Sequence, residues 1–118
     1  ILALTTLQAS SLTSQQVAAL SNAQILAMST AQVSVLPSAS ITALTTAQVR
    51  ALSTDQIQSL TIDQIPGLEI EDVSALKTEQ VVAMSTQQLS AFDASQIAAL
   101  TATQRGVLNA DQRTALGL

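Results

Sequence analysis

The chain has no cysteine, histidine, tryptophan or tyrosine among its 118 residues, and Phe92 is its one aromatic residue. Without cysteine and histidine it cannot build a zinc finger, a thiol nucleophile or a Ser-His-Asp triad. A disulfide framework is excluded for the same reason. We therefore expect no catalytic, cofactor-binding or metal-ligating residues and no cofactor, and an enzyme is the least favoured class.

Positive charge and long apolar runs are also scarce. The cations are Arg50, Lys77, Arg105 and Arg113, against eight acidic residues and a net charge of −4. So few cations cannot neutralise a phosphate backbone, which argues against nucleic-acid binding. Hydrophobic residues make up 47% of the chain, but polar residues interrupt them every few positions and no 18-residue apolar stretch exists. We therefore expect no membrane insertion.

One eight-residue spacing organises the residues that are present. Large apolar residues recur at every eighth position from Leu4 to Leu116, and glutamine follows four residues later except at Ser40 and Asp72. Counted from the apolar residue, the octad reads Leu-(Ser/Thr)-Thr-x-Gln-(Val/Ile)-x-Ala. The register is unbroken, so we interpret residues 1–118 as a single octapeptide-repeat array.

The octad predicts a short helix. A single long helix fails, because eight residues at about 100° each overshoot two turns by about 80° and give no apolar seam. A strand also fails, because positions one and six have opposite parity and would face opposite sides. In Leu52 to Ile57, Ser53 instead fits an N-cap and Gln56 the third helical residue of a capping box. The flanking Leu52 and Ile57 complete a hydrophobic staple.

Helices of this length do not persist alone, so each must pack against other octads. The sequence therefore predicts an all-α fold, a tightly wound solenoid of very short capped helices with one helix per octapeptide repeat. With three or four octads per superhelical turn, the rod should be roughly 30 to 45 Å long. Ile57 and Leu60, midway along the array, should be buried.

Two proline positions and one acidic group depart from the consensus. Pro37 stands where an N-cap is expected, and Ser38 could take over the capping. Pro66 and Gly67 predict a sharper bend or a wider corner. A larger set of acids falls in predicted first helical turns, where the helix dipole favours negative charge, namely Asp55, Asp63, Glu71, Asp72, Glu79 and Asp111.

Glu69, Glu71 and Asp72, with Asp63 one octad earlier, form the densest carboxylate group. A weak calcium site is one interpretation, and the pair Glu69 and Glu71 could in principle do acid–base work. Solvated acids at a helix start are the favoured interpretation, because no alternating Asp/Asn/Gly loop is present. We therefore predict no metal.

The two ends of the array differ. Arg105 and Arg113 occupy the sixth position, and glycines appear nearby, which predicts a polar C-terminal cap near residues 101–118. Binding of an anionic ligand by these arginines is the alternative. Ile1, Leu2 and Ala3 continue the pattern without a cap, so this edge should be adhesive or cut from a longer array. The absence of an initiator methionine fits a processed or excised piece.

Two stretches carry a family resemblance, from Ala43 to Val49 and from Met28 to Val33. They resemble the Leu-Thr-Thr-Ala-Gln-Val-type octapeptide arrays of large secreted or surface bacterial proteins of adhesin and RTX-like type. The resemblance implies an extracellular or cell-surface location. It also implies an accessory role as a non-catalytic scaffold, spacer or stalk, with a protein partner or self-association through the solenoid ends.

The alternative function is binding of a regular lattice such as ice. It would use a repeated threonine face at octad position three, made of Thr6, Thr30, Thr46, Thr54, Thr78 and Thr86.

Overall fold

A computed structural model describes residues 6–118, and side chains from residue 7 onward. Within that range the chain forms thirteen α-helices of five or six residues, one 3₁₀ helix and no strand. Each helix occupies one octad, which confirms the predicted all-α fold. The helices are α1 (Thr6–Ser10), α2 (Ser14–Ala18), α3 (Asn22–Ala27), α4 (Thr30–Ser34), α5 (Ser38–Ala43), α6 (Thr46–Ala51), α7 (Thr54–Ser59), the 3₁₀ helix (Ile65–Gly67), α8 (Ile70–Ala75), α9 (Thr78–Ala83), α10 (Thr86–Ser90), α11 (Ala94–Ala99), α12 (Ala102–Gly106) and α13 (Ala110–Ala115).

The predicted capping box starts most of these helices. Before α7, the Gln56 backbone N–H donates to Ser53 Oγ at 3.1 Å, and the Ser53 backbone N–H donates to Gln56 Oε1 at 2.8 Å. Both bonds recur at α2, α3, α4, α6, α10, α11, α12 and α13. Helix α7 ends where the Leu60 backbone N–H donates to the Ile57 carbonyl at 3.2 Å, after which Leu60 is extended and the next octad begins.

Successive turns of the solenoid stack helix on helix. Helices three octads apart pack on each other, as in the pairs α1–α4, α2–α5, α3–α6 and α4–α7. Side-chain bonds between turns span 28 to 31 residues, so one superhelical turn takes between three and four octads. The molecule measures 40 × 21 × 21 Å, within the predicted length.

Octad positions one and six build the core along the axis. Ile57 and Leu60 are 1% and 4% exposed, which confirms the prediction for both. The same cluster runs from Val17 to Leu116. Isolated large apolar residues such as Leu26 remain on the surface.

The expectation that Ser38 caps α5 is wrong. The helix begins at Ser38, its N-cap is Pro37, and no side chain bonds the helix start. The proline ring holds φ at −59°, which already suits a helix entry. Ser40, in the glutamine position, is buried and donates from Oγ to the Leu12 carbonyl at 3.2 Å.

Pro66 and Gly67 alter the helix type and leave the register of the array unchanged. Pro66 has no backbone N–H to continue an α-helix, and this octad forms the 3₁₀ helix Ile65–Gly67. Gly67 lies against α5: a Cβ there would be 2.9 Å from the Ser38 carbonyl oxygen, and Thr42 Oγ1 donates to the Gly67 carbonyl at 2.7 Å. The predicted sharper bend or wider corner takes the form of a 3₁₀ helix whose glycine lies close to the neighbouring turn.

The uncapped N-terminal edge is predicted for Ile1, Leu2 and Ala3, which lie outside the described residues. No helix within residues 6–118 is long and apolar enough to cross a membrane.

Candidate functional site

The fifth-position glutamine is the polar group that joins one turn of the solenoid to the next. Gln88 is 4% exposed, and both the oxygen and the nitrogen of its side-chain amide form hydrogen bonds. Its Oε1 accepts from the Ser85 backbone N–H at 2.9 Å, which completes the capping box of α10. Its Nε2 donates to the carbonyls of Ile57 and Leu60, each at 2.8 Å, at the end of α7. One side chain thus fixes a helix start and the helix end one turn earlier.

The same inter-turn bonds recur along the array. They supply hydrogen-bond donors to the carbonyls at the ends of the short helices. The last carbonyls of a helix have no partner within it, and helices of five or six residues have many such groups. A glutamine amide offers two N–H donors, which a glutamate lacks. Among the described residues, the glutamines that donate to carbonyls 28 to 31 residues earlier are Gln48, Gln56, Gln64, Gln80, Gln88, Gln96, Gln104 and Gln112.

Asp72 is a buried exception to this pattern of inter-turn glutamine bonds. It occupies the glutamine position, is 3% exposed, and its Oδ2 has no hydrogen-bond partner. In the common register, the carbonyls of Ile41 and Leu44 lie 31 and 28 residues earlier, and an ionised carboxylate cannot donate to them. Burial raises the pKa of Asp72 from 3.8 to about 6, and the charges of Glu69 and Glu71 add to the rise. Asp72 lies in the first turn of α8, as predicted. Its burial there was not predicted, and desolvation makes the charged form unfavourable.

Gln16 and Gln24 show the capping box without an inter-turn bond in the described part of the chain. Gln16 and Gln24 are exposed, and each completes its capping box through Oε1, at 2.9 Å from the Thr13 nitrogen and 2.8 Å from the Ser21 nitrogen. Neither Nε2 group has a protein partner within the described chain, because no described octad lies one turn earlier.

At the C-terminal end two arginines bond the helix-end carbonyls. Arg105 Nη2 donates to the Ile97 carbonyl at 3.0 Å. Arg113 Nη2 donates to the Arg105 carbonyl at 2.7 Å, and Arg113 Nε donates to the Leu108 carbonyl at 3.3 Å. These carbonyls belong to octad positions six and one, the positions that accept from glutamines elsewhere. Arg105 is partly exposed and Arg113 is exposed, while Arg105 Nε is buried without a hydrogen-bond partner.

The other candidates from the sequence lie apart from these contacts. Asp63, Glu69 and Glu71 are exposed while Asp72 is buried. Within residues 6–118 no group of three or more acidic residues is placed to hold a metal ion. The calcium interpretation therefore has no geometry in its favour.

The position-three threonines that the structure describes, Thr30, Thr46, Thr54, Thr78 and Thr86, are all exposed. Their row is interrupted where this position holds Ile62 and Ile70, and the side chain of Thr6 lies outside the described part.

Sequence reasoning assigned glutamine to the capping box and missed its second partner. Glutamate completes a capping box equally well, yet twelve of the fourteen complete octads have glutamine and none has glutamate at this position. That preference was the signal for a donor role. The partner carbonyls could not be named, because they depend on the number of octads in one superhelical turn.

The stacked helices and the inter-turn bonds together define a helical repeat protein. A family model described as the ALTTAQ repeat matches residues 17–46, 38–69 and 65–102. The chain belongs to the ALTTAQ repeat family, and the predicted repeat array is confirmed. Comparison with curated proteins and with solved structures gave no match.

Proposed function

We propose that the chain is a non-catalytic scaffold: a spacer, stalk or assembly module that holds other parts of a protein apart or in register. The observation that carries this proposal is the set of glutamine bonds between turns. A spacer must resist bending, and each inner turn here is tied to the next by paired amide bonds over an apolar core. The resulting rod measures 40 × 21 × 21 Å.

The arginine side chains support the same proposal, because they bond to backbone carbonyls of the chain itself. Arg50 Nη1 donates to the Ala75 carbonyl at 2.7 Å, and Arg105 and Arg113 also bond backbone carbonyls. Three of the four cations are therefore committed to the fold. With a net charge of −4, this argues against nucleic acid as the partner, and we propose protein partners that contact the ends of the rod.

An extracellular or cell-surface location belongs to the proposal and rests on the resemblance to octapeptide arrays of secreted bacterial proteins. Antibody labelling of intact cells that produce the protein naturally tests it. Surface labelling without permeabilisation is the expected result, and labelling only after permeabilisation would contradict the location.

Rigidity is the property that a spacer requires, and it is measurable on this chain. The absence of cysteine allows clean spin labelling after Ala23→Cys and Thr103→Cys, two exposed positions towards opposite ends. Pulsed electron resonance should give one narrow distance distribution. The pair Ala23→Cys and Ala47→Cys, on the stacked helices α3 and α6, is the control for label mobility. A distribution much broader than that of the control would contradict a rigid spacer.

Lattice binding is the second candidate, and one observation favours it. Thr30, Thr54 and Thr78 are exposed on α4, α7 and α9, which stack on one another in that order. Thermal hysteresis of the wild type that Thr54→Lys abolishes would support this function. Absence of hysteresis at high protein concentration would contradict lattice binding, and the scaffold function would be the one remaining proposal.

A further inference from the structure

The series of inter-turn glutamine bonds has a gap at Asp72, in the middle of the rod. The glutamines one octad before and after it, Gln64 and Gln80, each donate to carbonyls of the previous turn. Asp72 is buried and its Oδ2 has no hydrogen-bond partner. In the same register its partners would be the carbonyls of Ile41 and Leu44, at the end of α5. We call this contact between α8 and α5 the Asp72 junction.

Both helices at the Asp72 junction start without a side-chain cap. Pro37 precedes α5 and Glu69 precedes α8, and neither start has a side-chain cap hydrogen bond. Each helix has six residues, and helices of this length do not persist without contacts to other parts of the fold. The order of α8 therefore depends strongly on its contacts with neighbouring turns.

A proton on Asp72 changes what its side chain can do at the junction. A neutral carboxyl has one O–H donor, whereas an ionised carboxylate can only accept. In the described chain no side chain donates to the Ile41 or Leu44 carbonyl, so a protonated Oδ2 would find an acceptor there. An ionised Oδ2 leaves a buried charge unpaired, which is unfavourable. Burial raises the pKa of Asp72 to about 6, so the change falls between pH 4 and pH 7.5.

The charges around Asp72 do not neutralise it. On its own helix segment, Glu69 and Glu71 raise its pKa further. Helices α6 and α11 pack on α8. The charged residue of α6 is Arg50, which bonds a carbonyl at the opposite end of α8, and Asp93 caps the start of α11. Helix α5 has no charged residue.

We propose that the Asp72 junction is a proton-operated joint in the rod. With the proton bound, Oδ2 donates to a carbonyl of the α5 end and the joint is closed. Without it the joint opens and α8 loosens locally, while the glutamine bonds on either side hold the rest of the rod. This inference rests on the proposed scaffold function and gives the rod a stiffness that depends on pH. Spin-label distances at pH 4, with the joint closed, test the scaffold by itself, so either proposal can fail while the other stands.

Asp72→Asn is the first test, because asparagine has the same shape and keeps N–H donors at every pH. Backbone amide hydrogen exchange of α8 is compared between wild type and variant at pH 4 and again at pH 7.5. Comparison at one pH cancels the intrinsic pH dependence of exchange. The two proteins should differ little at pH 4, and at pH 7.5 the wild type should exchange at least tenfold faster. Equal exchange at both pH values would overturn the proposal.

Helices away from the junction are the internal control. Helices α3 and α12 pack on α6 and α9, and their amides should exchange equally in both proteins at pH 7.5. Faster exchange of every helix in the wild type would mean that the proton acts on global unfolding, and the joint would be refuted. Asp72→Gln, which restores the consensus residue, repeats the comparison if circular dichroism shows that the asparagine variant is unfolded.

The neighbouring acids provide a test that a purely structural role of Asp72 would not pass. Glu69→Gln with Glu71→Gln removes the two charges that raise the pKa of Asp72. The pH at which α8 exchange accelerates, measured against Asp72→Asn in the same background, should therefore shift to a lower value. An unchanged midpoint would show that Asp72 is not the group that opens the joint.

Discussion

Gln88 and Gln16 are both glutamines at the fifth position of the octad, and each belongs to a capping box, yet their surroundings differ. Each accepts a backbone N–H through Oε1 at 2.9 Å and so completes a capping box. Gln88 is buried and donates to two carbonyls of the previous turn, whereas Gln16 is exposed and donates to none. The comparison separates two roles of the octad, a local one that starts a helix and a long-range one that joins turns. Substitutions that affect one role and leave the other intact test this separation.

The largest effect should come from reversing the donor at an inner position. Gln88→Glu keeps the capping-box acceptor but buries a negative charge against the Ile57 and Leu60 carbonyls. An uncompensated buried charge costs about 3 to 5 kcal/mol of the free energy of unfolding. Gln16→Glu is the matched control and should cost at most about 0.5 kcal/mol, because its side chain is exposed. Chemical denaturation of both variants checks this, and equal losses would refute the two-role account.

Loss of core packing should rank second. Leu60 is 4% exposed, and Leu60→Ala should lower the free energy of unfolding by about 2 to 5 kcal/mol, the range for cavity formation in a core. Leu26 is 54% exposed, so Leu26→Ala should change it by at most about 0.5 kcal/mol. If the exposed site mattered as much as the buried one, the axial core described above would be wrong.

Asp72 should make stability depend on pH in an unusual direction. Its pKa is raised from 3.8 to about 6, so the folded protein binds this proton more tightly than the unfolded chain. The neutral carboxyl therefore stabilises the fold fully below pH 3.8, and this contribution is lost as pH rises through about 6. The loss is at most about 3 kcal/mol. The charged neighbours that raise this pKa are Glu69 and Glu71.

Asp72→Gln should remove this pH dependence and stabilise the protein at pH 7. The amide restores donors towards the Ile41 and Leu44 carbonyls, and the gain should be about 1 to 3 kcal/mol. Thermal denaturation of variant and wild type from pH 4 to pH 7.5 measures the difference. A gap between the two that stays constant with pH would contradict the assignment to Asp72.

The smallest effect should come from a single N-cap. Ser53 Oγ accepts the Gln56 N–H, and Ser53→Ala should cost about 0.5 to 2 kcal/mol. Thr54 is the exposed first helical residue, so Thr54→Ala should stay within about 0.5 kcal/mol. A larger loss at Thr54 than at Ser53 would mean that the helix register is wrong.

The parts of the fold that depend on neighbouring residues were predictable, and the parts that depend on the superhelix were not. Ser53 and Gln56 are three residues apart, so the capping box followed from sequence alone. The partners of Gln88 lie 28 and 31 residues away, and no local rule sets that distance. The burial of Asp72 was missed for the same reason, because it depends on the turn of the solenoid that covers this residue.

At the C-terminal end of the rod, the residue types were also predictable from the repeat, whereas their hydrogen-bond partners were not. A polar character at Arg105 and Arg113 was readable from the repeat, since both replace an apolar consensus residue. Their acceptors were not, because a guanidinium can reach several carbonyls and only the packed structure selects among them.

The most direct test of the inter-turn bonds is hydrogen exchange of the glutamine side-chain amides, followed by nuclear magnetic resonance. We expect the Nε2 protons of Gln88 and the other inner glutamines to exchange slowly, because they are buried and bonded to carbonyls. The Nε2 protons of Gln16 and Gln24 should exchange at the rate of a free amide. Equally fast exchange at inner and terminal glutamines would contradict the claim that these side chains join the turns.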